Sequence, residues 1–376
     1  MRNKFTKIAV SLLLAVLVCS STYAASLKET QRKAQKGDAE AQYELALMYH
    51  DGNGVKQSYA EALRWYRKAA EQGYAPAQNN IALMYEEGEG VTQNYQRAAE
   101  LYLTAAENGN LPAMGNLGYM YERGVGVEQD YFEAVKWYRR AAEHGDSRAQ
   151  NSLGDMYYFG RGVTQDDDEA IIWYRKAAEQ GYPSAYTNMG IMCQYGRGTT
   201  QSNFQAVQWY KKAAEAGNPG GQNSLGDMYR DGKGVKQDYS EALKLYRKAA
   251  DQGLYAAMDN LGDMYRYGNG VKQSYSEAAK WYRKAAEQGY SESQASLGFL
   301  YYNGQGVKQN YEKAAELFRS AADNGDTQAM ANLGLMYRKG EGVKQDYDEA
   351  VRLWREAAKR GNSSAQESLD EIGVSW

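Results

Sequence analysis

An all-α fold of stacked helical hairpins is the class this sequence predicts, and three observations predict it. Glycine stands at 37, 73, 109, 145, 181, 217, 253, 289, 325 and 361, a spacing of 36 residues each time with no insertion or deletion. Each interval carries two apolar patterns of helical period, such as Ala41, Leu45, Met48, Tyr49 and then Tyr59, Ala62, Leu63, Tyr66, Ala69, Ala70. Between the two patterns lies a glycine-rich stretch, GNGVKQSY at 52–59, which returns letter for letter at 268–275. A single hairpin cannot bury its apolar face alone, so neighbouring copies must supply one another's core.

The elements follow in chain order. Arg2, Lys4 and Lys7 precede an apolar run from Ile8 to Val18 and a small-residue stretch, the pattern of a secretory signal peptide over 1–24 with cleavage after Ala24. The run is too short for the roughly 20 residues of a membrane-spanning helix. Cys19 offers a competing lipoprotein-type cleavage, but Val18 stands where that processing prefers a small side chain. A periplasmic or secreted protein is therefore expected. Cleavage would remove three of the 44 basic residues and leave 41 against 47 acidic ones, a net charge of −6, so nucleic acid is not the expected partner. It would also leave Cys193 without a second cysteine, so packing alone must hold the fold.

Residues 25–36 read as an N-terminal capping segment, the end of a second helix. Residues 37–360 are nine repeats, at 37–72, 73–108, 109–144, 145–180, 181–216, 217–252, 253–288, 289–324 and 325–360, and 361–376 supply a C-terminal capping helix with Asp370 in a column of small residues. All four prolines fall two or three residues after a repeat glycine, in the first turn of the first helix, where a missing N–H costs nothing. The second helix is expected to start at Ser58, Asn94, Asp130, Asp166, Ser202, Asp238, Ser274, Asn310 and Asp346. Six of these nine are followed three residues on by Glu, which predicts a reciprocal capping box. The repeat glycine then serves as the left-handed residue that stops the second helix.

Gly52, Gly54 and their counterparts therefore occupy a hairpin turn. A phosphate-binding loop would follow a strand and carry a third glycine or a Lys-Ser/Thr ending, whereas Gln57 and its equivalents stand at the third position here.

The consensus A-x-A-Q-x-x-L-G-x-M-Y, then G-x-G-V-x-Q-[DNS]-Y-x-E-A-x-x-W-Y-R-K-A-A-E-Q-G, resembles the Sel-one-like repeat, a relative of the tetratricopeptide repeat, over essentially the whole chain beyond residue 24. That resemblance implies a right-handed α-solenoid whose first helices line a concave face, and non-catalytic work in binding proteins. It also implies, for exported bacterial members, engagement of host or bacterial proteins, including immunity or effector-partner roles in bacterial competition.

Chemistry is sparse by comparison. His50 and His144 sit at unrelated offsets, no calcium-loop spacing occurs, and no metal or cofactor is expected. Some cysteine-rich exported relatives are labelled β-lactam hydrolases, but this chain has no S-x-x-K, no G-x-S-x-G and no paired cysteines, so no catalytic residue is assigned. Tyr49, Tyr85, Tyr121, Tyr157, Tyr229, Tyr265, Tyr301 and Tyr337 are expected to fill one buried column and the Tyr66 series another. The basic column from Arg67 to Arg355 is expected to be a solvated face of i,i+4 pairs with acids such as Glu71.

Variation concentrates on the first helix at offsets seven, ten and thirteen past the repeat glycine, a turn apart and so expected to form one exposed stripe along the inner, concave face, where a partner would bind. These positions supply the candidate partner-binding residues Asn116, Tyr119, Asp155, Tyr158, Asn188, Asp227, Arg230, Asn260, Asp263, Arg266, Phe299 and Tyr302. Such a mixture of Tyr, Arg, Asp and Asn suits a protein or peptide partner. The competing reading is that the Asn/Ser column bonds neighbouring helices instead. A monomer is expected. Repeats four and five depart most from the consensus, through Asp167, Asn203, Thr199 and Cys193.

Overall fold

The structure, a computed structural model, describes residues 27–375; the expected signal peptide, its cleavage point and Trp376 lie outside the described residues. Those residues form helices joined by turns, with no strand among them. They divide into two compact units, one ending at Tyr182 and the other beginning at Pro183. The boundary falls two residues into the fifth repeat, beside the junction of the two most divergent repeats.

In the first unit, residues 27–35 are helical and lead into four hairpins. Their first helices are Ala39–Asp51, Ala75–Glu87, Leu111–Arg123 and Ser147–Phe159, and their second helices are Tyr59–Glu71, Tyr95–Glu107, Tyr131–Glu143 and Asp167–Glu179. In the second unit the first helices are Pro183–Tyr195, Pro219–Asp231, Tyr255–Tyr267, Ser291–Asn303 and Thr327–Lys339. The second helices are Asn203–Glu215, Tyr239–Asp251, Tyr275–Ala286, Tyr311–Asp323 and Tyr347–Lys359, and Ser363–Glu371 closes the unit.

The second helices begin at the expected caps: Ser58, Asn94, Asp130, Asp166, Ser202, Asp238, Ser274, Asn310 and Asp346 each accept a backbone N–H three residues on. The reciprocal half of the capping box does not form. The N–H of Ser58 goes to the carbonyl of Tyr49 at 2.8 Å, as that of Asp130 goes to Tyr121 at 2.9 Å, so the donor Glu would need is already taken. The glutamates turn outward, Glu61 to Arg64 at 3.3 Å, Glu133 to Lys136 at 2.9 Å and Glu349 to Arg352 at 2.7 Å.

The glycine turn has two separate reasons for its glycines. The first, as at Gly124 (φ +66°), takes the left-handed conformation that ends the first helix. The second also lacks room: a Cβ on Gly126 (φ +71°) would lie 2.2 Å from the carbonyl oxygen of Tyr95 in the preceding repeat. The loop glutamine closes the turn. Gln57 Nε2 donates to the His50 carbonyl at 2.8 Å, and Gln129, Gln237 and Gln345 repeat the bond to Glu122, Arg230 and Arg338.

Stacking rests on the Tyr66 series, Tyr102, Tyr138, Tyr174, Tyr210, Tyr246, Tyr282, Phe318 and Trp354, all buried. Each lies against a small residue of its own hairpin's first helix; a Cβ on Gly154 would come within 2.6 Å of the Tyr174 ring, and one on Gly226 within 2.6 Å of the Tyr246 ring. Polar ties cross between repeats too. The buried Gln42 and Gln150 donate to the carbonyls of Ala34 and Ala142 at the end of the previous second helix, at 3.1 and 3.0 Å.

Two expectations about columns need correction. The Tyr85 series is half-buried rather than buried, because its hydroxyls reach the surface. There they meet the basic column: Arg139 donates to Tyr157 at 2.6 Å, Arg247 to Tyr265 at 3.0 Å and Arg319 to Tyr337 at 3.0 Å. These three arginines tie their second helices to the following repeat instead of pairing along their own helix.

Candidate functional site: the variable face of the first helices

A buried phenol must find an acceptor or lose about 1–3 kcal/mol, and the first helix supplies it. From the second repeat to the seventh, the acceptor is Glu or Gln at offset thirteen, or Asp at offset ten. Tyr102 donates to Glu86 at 2.6 Å, Tyr138 to Glu122 at 2.9 Å and Tyr210 to Gln194 at 2.7 Å. Tyr174 donates to Asp155 at 2.7 Å, Tyr246 to Asp227 at 2.7 Å and Tyr282 to Asp263 at 2.5 Å. The eighth repeat has Phe318 in place of the tyrosine, and its two offsets carry Phe299 and Tyr302. In the ninth, Trp354 Nε1 donates to the Ala331 carbonyl at 3.0 Å, and the offsets carry Leu335 and Arg338.

This arrangement sorts the candidate residues. Asp155, Asp227 and Asp263 hold the core tyrosines. Burial raises the Asp227 carboxyl above the usual carboxylate range, against the opposing pull of the Tyr246 hydroxyl and Arg230. In four of these six repeats the position that is not holding a tyrosine carries a recognition-type side chain, Tyr119 in the third, Tyr158 in the fourth, Arg230 and Arg266 in the sixth and seventh, while the second and fifth carry Leu83 and Ile191. Where the tyrosine is missing, both positions are released.

The asparagine column bonds between repeats. Asn116 donates to Asn79 at 3.5 Å and accepts from Arg148 at 2.5 Å. Asn260 donates to Asn223 at 3.0 Å and accepts from Arg230 at 3.0 Å. Asn188 is half-buried on the same face.

The remaining candidates differ in how firmly they are held. Arg230 is gripped by Asp227 at 3.2 Å and Asp231 at 2.8 Å, which outweigh its partial burial and hold the guanidinium above its ordinary value. Around Arg266 the position matching Asp231 is Tyr267, and the one matching Asp227 is Asp263, which accepts from Tyr282; the guanidinium carbon lies 5.2 and 4.7 Å from the ring centres of Tyr267 and of Phe299 in the next repeat. Tyr302 donates to Glu341 at 2.6 Å and rests its ring 5.2 Å from that of Tyr311. Tyr158 packs edge-on to Phe159 at 4.8 Å. Tyr119 and Phe299 are exposed, at 47% and 36%.

Sequence reasoning missed the next column, offset fourteen, where Phe159, Tyr195 and Tyr267 end their helices 56%, 65% and 59% exposed. Exposed aromatics at a helix's last residue were the available signal. An open groove of about 640 Å³ lies elsewhere, lined by Gln96, Leu103, Leu117, Tyr121 and Val127 on the second-helix and loop side. No group of three or more metal-ligating side chains comes together among the described residues. No helix there is long and apolar enough to cross a membrane.

Helical hairpins repeated every 36 residues, each packing a buried aromatic against its own first helix and hydrogen-bonded to the next copy, define a solenoid-type repeat protein. The Sel1 repeat family matches residues 39–74, 75–110, 111–146, 147–182, 183–218, 219–254, 256–290, 291–326 and 327–362, and the chain belongs to that family. Eight of the nine matches begin two residues after a repeat glycine, at the start of the first helix, and the seventh begins one residue later, at 256. The chain is similar to c5321, a protective antigen present in uropathogenic Escherichia coli strains and displaying an SLR fold, at 39% identity and a TM-score of 0.62, covering 93% of this chain and 84% of that one. A Sel1 repeat protein from Oxalobacter formigenes is 32% identical with a TM-score of 0.60, over 85% of this chain and 93% of its own. The immunity protein Pa5087 of Pseudomonas aeruginosa, 21% identical over 57% of this chain and 82% of its own with a TM-score of 0.44, carries no functional argument. No curated protein matches the chain.

Proposed function

We propose that this chain is an exported, non-catalytic interaction scaffold that holds a protein or peptide against the variable face of its first helices. One observation carries the reading. Side chains that stack the repeats recur in column after column, whereas the face positions not bonded to a core tyrosine vary: Tyr119, Tyr158, Arg230, Arg266, Phe299 and Tyr302, of types enriched at protein interfaces, stand beside the aliphatic Leu83, Ile191 and Leu335. The likeness to a protective antigen over 93% of the chain supports export, since a protective antigen must be reachable by antibody.

The test is affinity capture from a periplasmic extract, with the wild type beside a Tyr119→Ala/Phe299→Ala variant and a Lys244→Ala/Lys280→Ala variant. Lys244 and Lys280 sit on exposed second-helix surface, 67% and 62% accessible. A partner lost with the first variant and kept with the second fits the proposal; the reverse places recognition on the second helices. Sequencing of the mature N-terminus should begin at Ala25, and a start at a lipidated Cys19 would replace the exported form with an anchored one.

A further inference from the structure

Two departures from the repeat pattern meet in the second unit. Asp259 stands where Asn79, Asn151 and Asn223 stand in other repeats, and Ser293 stands in a column that is otherwise alanine, apart from Gly221. Ser293 has no exposed surface, and its Oγ donates to Asp259 Oδ1 at 2.6 Å. The bond joins the first helices of repeats seven and eight, Tyr255–Tyr267 and Ser291–Asn303. Elsewhere the column carries a neutral amide with a different partner in the next repeat, Asn79 accepting from Asn116 and Asn223 from Asn260, three positions beyond the one Ser293 occupies.

We propose that the Asp259–Ser293 pair is a proton-linked joint, closed when the Asp259 carboxyl is protonated and loosened when it ionises. An ionised Asp259 would be a largely buried charge met by one hydroxyl donor. On its own helix it faces Asp263, which opposes its ionisation, and Arg266, which assists it. From the following helix it faces Glu292, a second opposing charge, and the Tyr290 and Tyr282 phenols lie within its electrostatic reach. Burial, only partly offset by the Ser293 hydroxyl, pushes the carboxyl up to about 6. A carboxyl whose folded value exceeds its unfolded one binds its proton more tightly when folded. Its favourable contribution is therefore complete below the ordinary aspartate value of 3.8 and is lost as pH rises through about 6. Asp263 and Arg266 belong to the candidate binding face, so the joint would also tune partner affinity; that consequence alone rests on the proposed function.

Hydrogen exchange on the full chain tests the joint without a partner. After correction for intrinsic rates, protection in residues 255–267 and 291–303 should fall about tenfold between pH 5 and 7.5. Protection in 111–123, where Gly115 holds the corresponding position, should stay level and serves as an internal control. Asp259→Asn, the residue of the sister repeats, should remove the pH dependence. Equal pH dependence in both regions of the wild type overturns the proposal, as does a well-folded Asp259→Asn protein with the wild-type slope. Should that variant fail to fold, the wild-type comparison still decides. An intact pH response in exchange with unchanged partner binding would leave the joint standing and contradict only its link to recognition.

Discussion

Tyr246 and Asp227 show how one residue's chemistry constrains another's identity. The phenol is buried and its hydroxyl is satisfied by a carboxylate; the carboxylate is itself desolvated and needs that hydroxyl. Tyr246→Phe should therefore cost about 1–3 kcal/mol, chiefly from the acid left short of a donor. Adding Asp227→Leu should recover part of the loss, since the eighth repeat pairs Phe318 with no acid at either position. Chemical denaturation of the two variants checks this, and a double mutant no more stable than Tyr246→Phe alone contradicts it. The pairing was written in the sequence, as Asp at offset ten or Glu/Gln at offset thirteen with tyrosine on the second helix. It was read there as a variable stripe because periodicity tells which face a residue occupies and not what its side chain holds. Asn116 and Asn260 were legible as polar face residues for the same reason, while their bonds to neighbouring repeats required the geometry.

At the scale of the element, helix starts and stops were legible because they depend on local rules: Asp130 caps, Gly145 ends a helix at φ +93°, and prolines sit in first turns. The failed capping box and the half-buried Tyr157 were not legible, since both follow from contacts between elements: a cap N–H reaching back to Tyr121, and Arg139 reaching to the next hairpin. The turn glycines permit a direct comparison. Gly109 has φ +85° and open space where a Cβ would go, so Gly109→Ala should cost only the backbone strain of about 1–2 kcal/mol. Gly126→Ala adds a collision with the Tyr95 backbone and should cost at least a further 1–3 kcal/mol. Thermal unfolding of the pair measures the difference. Equal costs would mean that the neighbouring repeat does not press on the turn.

Across the whole molecule, a repeat array should respond to damage locally, because each hairpin draws its core from its neighbours. Leu225, buried among Val207, Tyr210 and Met228, is a suitable probe. Leu225→Ala should cost about 2–5 kcal/mol, through lost transfer energy and the cavity left behind. Hydrogen exchange should show the loss first in the adjoining hairpins, and a uniform loosening of all described residues would contradict a one-dimensional array.

The claim that the released positions of the first helices hold a protein partner is tested most directly by photo-crosslinking in the producing cell. A crosslinking amino acid would be placed singly at positions 119, 266 and 299, and at 244 and 280 on the second helices. Adducts of one common partner at the first three positions, absent at the last two, are the predicted result. The same partner captured only from 244 and 280 would contradict it and move recognition to the opposite face.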